Sequence, residues 1–408
     1  MNFNEKLNKY AELIIKVGSN IMEGDTLTIN SPVERADFAR MLAENAYKQG
    51  AHDVVINWND GEITKMKYEY TPVEILKEVP KYVFDRAMYY AETKRHKLIG
   101  ISASDPELLK DIDPKKIQEA SLAVSKVMQP LRKYTMNDIV SWTVVSVPTE
   151  AWAKKVFPNS ENPVDDLWEA IFYTTRVNTE DPIKAWEDHL DTLMEKAKWL
   201  NDENFKYLRY KASNGTDLEI ELPKGHIWTA ASSKNEKGER FVPNMPTEEV
   251  FTLPHKDGVN GVVHASKPLV YDGNVIDEFW LEFKDGAVVD FDAKVGKEVL
   301  ASIFEKDERA RRLGEVALVP FDSPISNSNI LFYNTLFDEN ASCHLALGKA
   351  YPTTIEGGEN MTDEELAEHG VNDSYAHEDF MVGTADLDII GIKEDGIEVQ
   401  VFKNGNWA

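Results

Sequence analysis

The side chains best suited to chemistry lie after position 240, where acids and histidines recur in four short segments. In PNMPTEEVF the adjacent carboxylates Glu248 and Glu249 follow Pro246. Neighbouring side chains of a strand face opposite ways, so only one of the pair can point into a given site. Taken alone, the pair also reads as a solvated acidic turn. Glu315 follows Gly314 and opens the apolar run Val316 to Val319. A carboxylate on the buried side of such a strand is costly unless paired or metal-bound, whereas at a strand edge it would simply sit in water. LFDENASCHLALGKAY contains Asp338, Glu339, Cys343, His344 and Tyr351, and its small polar Asn340-Ala341-Ser342 allows a tight bend between Glu339 and His344. A histidine before Leu-Ala-Leu equally suits a hydrogen-bonded core position. In SYAHEDFMVGT, His377 and Asp379 have the i, i+2 spacing that puts both on one face of a strand, although such a pair also arises by chance.

Glu249, Glu315, Glu339, Asp379, His344 and His377 together form an oxygen-rich set with two nitrogens, which suits Zn, Co or Mn. The number of carboxylates suits two divalent cations better than one. A structural zinc site normally relies on cysteine thiolates, which this set does not use.

Other chemistries lack their signatures. No strand in the first half is followed by G-x-G-x-x-G, and no Walker A sequence occurs. G-x-S-x-G and H-E-x-x-H are absent, and Cys343 has no local setting of a cysteine nucleophile.

Two kinds of periodicity must position these residues. In the first half, Asn4 to Ile21 and Arg35 to Gly50 carry helical apolar spacing, while Thr26 to Ile29, Val54 to Ile56, Lys97 to Ser102 and Trp142 to Val147 read as strands. This βαβ rhythm predicts a parallel sheet flanked by helices. From about Tyr207 the pattern changes to strands separated by Asn-Gly and Asp-Gly turns, the mark of antiparallel hairpins. The helical stretch Asp181 to Leu200 is expected to join the two. The expected fold is α/β, with an N-terminal parallel-sheet α/β domain over residues 1–200 and a β-rich, mostly antiparallel α+β catalytic domain over 201–408.

The chain has 408 residues, enough for two cores, and its 42% hydrophobic content with 9 Trp and 17 Phe is that of a folded protein. A net charge of −26 repels nucleic acid and anionic lipid surfaces. Met1 to Ile14 resembles neither a signal nor a transit peptide, and no apolar run approaches the roughly 20 residues of a membrane span. A single cysteine permits no intrachain disulfide. The expected compartment is the cytoplasm.

The four segments, as NMPTEEVFTLP, LGEVALV, DENASCHLALGKAY and HEDFMVGT in this order and spacing, resemble the aminopeptidase T / aminopeptidase S / PepS family of thermophilic-type metallo-aminopeptidases. The likeness runs along essentially the whole chain. It implies metal ligands at Glu249, Glu315, Glu339, His344, His377 and Asp379, with Glu315 bridging two divalent metal ions, Zn or Co, with Mn or Mg also compatible. Tyr351 matches an active-site tyrosine of the family; a buried aromatic beside Pro352 is the structural alternative. The implied enzyme is a homodimer that removes N-terminal amino acids from short peptides with a free N-terminus, using a water activated by two metals. Glu249 or Glu315 would carry the proton, and the N-terminal domain would limit substrate access. The rival readings are a two-metal hydrolase of a non-peptide amide and a non-catalytic metal-binding protein.

Overall fold

The computed structural model describes every residue except Lys94 and Ser104. The chain forms two compact units: residues 1–191 with 231–247, and residues 192–230 with 248–408. The segment 231–247 thus belongs with the first unit although it lies beyond position 200.

In the first unit, strands β1 (Thr26–Pro32), β2 (Asp53–Asn59), β3 (His96–Ser102) and β4 (Ser141–Ser146) form a parallel sheet in the order β2-β1-β3-β4. Helices α1 (Phe3–Leu13), α2 (Ala36–Lys48), α3 (Lys81–Ala91) and α4 (Pro114–Met136) accompany it. The α/β rhythm of the sequence is borne out. The first helix is shorter than its apolar spacing suggests, because the backbone widens over Ile14–Gly18 and Ser19 N donates to Ile14 O at 2.8 Å, which breaks the regular ladder.

The two faces of this sheet differ. Leu27, Ile29, Ile99 and Val145 share one face by register and are fully buried. Tyr10, Phe38, Trp168 and Phe172 form an aromatic cluster in the same unit, with ring centroids 5.3–6.4 Å apart. The opposite face carries Thr28, Asn30, Asn57, His96 and Leu98.

A buried ion network fixes segment 231–247 to this unit. Lys97 is fully buried, and its Nζ lies 2.6 Å from Glu239 Oε2 and 3.1 Å from Ser141 Oγ. Asn235 Nδ2 donates to the same Glu239 Oε2 at 2.9 Å. A buried ammonium requires such partners, so Glu239 and Asn235 cannot drift from the strand ends.

The second unit is built on antiparallel pairing. A nine-stranded sheet includes the long hairpin of Asn274–Lys284 and Ala287–Val295. Its turn is Asp285-Gly286, with φ of 48° and 80°, the left-handed pair that a two-residue hairpin needs. A Cβ on Gly286 would lie 1.9 Å from Lys256 O, so glycine is obligatory there.

A five-stranded antiparallel sheet completes the unit. Its order is β9 (His377–Met381), β8 (His344–Gly348), β7 (Leu313–Leu318), β6 (Val250–Thr252) and β5 (Thr229–Ala230). No helix among the described residues is long and apolar enough to cross a membrane.

Candidate metal centre

Register alone gathers the acids and histidines. Across β7, β8 and β9, Glu315 is opposite Ala346, which is opposite Asp379. Two residues along β8, His344 faces Ala317 and Met381; two residues the other way, Gly348 faces His377. Because strand side chains alternate, Glu315, His344, His377 and Asp379 share one face. Glu249, two residues before Phe251, approaches that face from the start of β6, where Phe251 pairs with Ala317.

The central strand is chosen for clearance. Ala346 stands between Glu315 and Asp379 with only a methyl group, and a Cβ on Gly348 would lie 2.3 Å from Ala376 O. β7 is buried at every position, so Glu315, 5% exposed, is a carboxylate in a core strand. The sequence singled out Glu315 for the cost of burial but could not show that Ala346 and Gly348 make its room.

The resulting geometry has two triads that share one residue. Glu249, Glu315 and His344 offer donor atoms all within 4.8 Å of one another, and so do Glu315, His377 and Asp379. His344 Nε2 lies 3.1 Å from Glu249 Oε2 and 3.6 Å from Glu315 Oε1. His377 Nε2 lies 3.7 Å from both Glu315 Oε2 and Asp379 Oδ2. Glu339, on the turn Glu339–Ala341 before β8, is buried beside these groups and lies outside both triads.

The far sides of both imidazoles are fixed by backbone. His344 Nδ1 is 2.9 Å from Glu339 O, and His377 Nδ1 is 2.7 Å from Lys349 O. Carbonyl oxygens only accept, so both Nδ1 atoms carry hydrogen and donate, and in the neutral ring Nε2 presents a lone pair to the carboxylates. A lone pair facing carboxylate oxygens is stable only with a cation or proton between them. These carbonyls, and Asn340, were not legible in the sequence. Asn340 is fully buried; its Oδ1 accepts from Glu248 N at 2.8 Å and its Nδ2 donates to Glu339 Oε1 at 3.3 Å, tying the segment before β6 to the turn before β8.

The electrostatics show four carboxylates crowded against two imidazoles. Burial pushes the Glu315 carboxyl up to about 7, with Asp379 and Glu249 adding to the rise against the pull of His344 and His377. Burial, then Asp379, raises Glu339 well above the ordinary carboxylate range. Burial would lower His344, but Glu249 and Glu315 hold it well above the usual imidazole value. Asp379 Oδ1 is buried without a hydrogen-bond partner. Uncompensated buried anions of this density are what divalent cations neutralise, and carboxylate with imidazole is a suitable donor chemistry. The residues therefore fit a metal centre.

Cys343 takes no part: strand alternation turns it from His344, its thiol donates to Val319 O, and burial raises it to about 12. Tyr351 does border the centre. Its ring meets His377 edge-on at 5.1 Å, and burial, together with the charges of Glu315 and Asp379, keeps its phenol protonated.

Comparison with known proteins agrees with this geometry. The thermophilic metalloprotease (M29) family profile matches residues 3–407. The chain is 50% identical to aminopeptidase 2 of Geobacillus stearothermophilus, covering 100% of this chain and 98% of that one. It is 48% identical to aminopeptidase AmpS of Bacillus subtilis, covering 100% and 99%. The solved structure of wild-type AmpT from Thermus thermophilus superposes with a TM-score of 0.91 at 38% identity, with 100% of both chains covered. A likeness that spans the chain at this identity makes this protein a member of the thermophilic metalloprotease (M29) family and a metal-dependent peptide hydrolase.

Proposed function

We propose that the chain is an aminopeptidase that removes N-terminal residues from short peptides at a centre for two divalent ions. The observation that carries this reading is Glu315, whose Oε1 faces His344 and whose Oε2 faces His377. Glu249, Glu315 and His344 would hold one ion and Glu315, His377 and Asp379 the other, with Glu339 beside them as a further ligand. Two such ions, zinc or cobalt by donor type with manganese or magnesium also compatible, supply Lewis-acid activation of water and of the peptide carbonyl.

The chain's own residues supply the rest. Glu249 takes the proton from the attacking water and passes it to the leaving amine, a role open to a carboxylate at the centre's edge; Glu315, the other candidate, has both oxygens turned to the bridge. Tyr351, held as the neutral phenol, donates a hydrogen bond to the oxygen that gains charge. A carboxylate of the cluster pairs with the substrate's α-ammonium, which restricts cleavage to the first peptide bond. The backbone carbonyls on His344 and His377 keep both rings oriented throughout. Homodimerisation and a part for residues 1–200 in substrate access belong to the same proposal and rest on the family likeness; a cytoplasmic location rests on the single cysteine, which suits a reducing compartment.

The test compares turnover of leucine p-nitroanilide and unblocked short peptides with that of their N-acetylated forms, beside His344→Ala. Hydrolysis confined to free N-termini and lost in His344→Ala is expected. Equal hydrolysis of acetylated substrates would point to an amidase of other specificity, and metal binding without hydrolysis to a non-catalytic role.

A further inference from the structure

The first unit contains a cavity of about 780 Å3 between one face of its parallel sheet and helices α3 and α4. Pockets of roughly 300–1,000 Å3 are the size that encloses organic ligands. A parallel sheet flanked by helices is ordinarily apolar on both faces. Here one face carries Leu27, Ile29, Ile99 and Val145 beside the buried Lys97 and Thr143, and the other presents Thr28, Asn30, Asn57 and His96 to the cavity. No residue of α3 is fully buried, so this helix roofs the space without filling it.

The polar groups are arranged. Arg86 on α3 donates to Asn57 Oδ1, and Asn57 Nδ2 donates to Asn30 Oδ1 at 2.9 Å, giving a ladder across β2 and β1. His96 is 7% exposed, stacks on Tyr90 at 6.0 Å and places Nε2 3.0 Å from Thr28 Oγ1. Its Nδ1 is buried without a hydrogen-bond partner. Burial pushes this imidazole down to about 4, so it stays neutral at physiological pH.

The lining also selects for charge. Of 408 residues 71 are acidic, yet among the described residues that line the cavity there is no carboxylate, while Arg86 and Arg132 both border it. Tyr82 and Tyr90 supply aromatic walls. We propose that this cavity binds an aromatic carboxylate, the ring packed on Tyr82 and Tyr90 and the carboxylate on Arg86. An anion suits the guanidinium fork, and an ammonium would find no acid to meet it. The site is independent of the metal centre, all its residues lying in the first unit.

The test uses the full-length protein and three probes of one shape, 1-naphthaleneacetate, 1-naphthalenemethanol and 1-naphthalenemethylamine, followed by saturation-transfer NMR. The acetate should bind with roughly millimolar affinity or tighter, and at least about tenfold better than the alcohol or amine. Arg86→Gln should weaken it by about tenfold or more. Ala87→Phe, which fills the cavity and keeps Arg86, should abolish it. Circular dichroism reports the fold of each variant, and should either misfold, the preference of the unaltered protein for the anion decides alone. Equal binding of the three probes, no binding of the acetate, or binding unchanged in folded Arg86→Gln and Ala87→Phe overturns the proposal.

Discussion

Glu315 offers one carboxylate oxygen to each of two histidines: Oε1 lies 3.6 Å from His344 Nε2 and Oε2 lies 3.7 Å from His377 Nε2. Both histidines donate Nδ1–H to backbone carbonyls, so their Nε2 lone pairs converge on the same carboxylate from two sides. Sharing by Glu315 makes the two triads a single centre.

Glu315→Gln leaves one oxygen and replaces the other with an amide that cannot ligate. Bound metal should fall from two ions per chain to one or fewer by elemental analysis, and hydrolysis should drop by at least about 100-fold. Two retained ions with normal turnover would remove Glu315 from the bridge.

Ala346 is the spacer between Glu315 and Asp379. Ala346→Val puts two methyl groups into the space the ligands share, at an overpacking cost of about 1–3 kcal/mol. The expected outcome is a folded protein whose metal affinity falls by more than its melting temperature suggests, measured by metal titration beside thermal unfolding. Unchanged metal affinity would show that the space above Ala346 is not used.

Tyr351 is raised well above the ordinary phenol range by burial and by the surrounding carboxylates, so it acts as a hydrogen-bond donor across the working pH range. Tyr351→Phe keeps the edge contact with His377 and removes the donor. It should lower kcat by about 100-fold while KM and metal content hold, the pattern of a group that acts on the transition state. A change confined to KM would assign Tyr351 to substrate binding instead.

His96 is pushed down to about 4 by burial, against about 6.5 in the unfolded chain. Between those values the unfolded state binds a proton that the folded state refuses, so stability is full above pH 6.5 and falls as pH drops toward 4. The loss between pH 7 and 5 is about 2 kcal/mol. His96→Phe should flatten this part of the pH profile, read from urea midpoints of the first unit by tryptophan fluorescence. A profile identical to the parent's would mean that His96 is protonated in the fold.

Much of the architecture could be read in advance. The strands Thr26–Pro32, Asp53–Asn59, His96–Ser102 and Ser141–Ser146 fall where short apolar runs lie between helical stretches, the pattern of a parallel sheet flanked by helices. The i, i+2 spacing of His377 and Asp379 is the strand geometry of β9, and of the Glu248–Glu249 pair Glu249 is the one in the cluster. Less legible were features that depend on register between distant strands. Nothing local in LALG marks Ala346 and Gly348 as the clearing above the sheet. Lys97 lies at the start of an apolar strand, yet it is fully buried against Glu239, 142 positions away. That same pairing draws segment 231–247 into the first unit, which no composition shift announces.

The measurement that bears most directly on the central claim is a titration of metal-stripped protein with zinc or cobalt, following bound metal and release of leucine from leucine p-nitroanilide in the same samples. The account predicts that activity appears on loading and rises until two ions are bound per chain, and that the N-acetylated substrate stays intact throughout. Full activity at one ion per chain, or none at two, would contradict it.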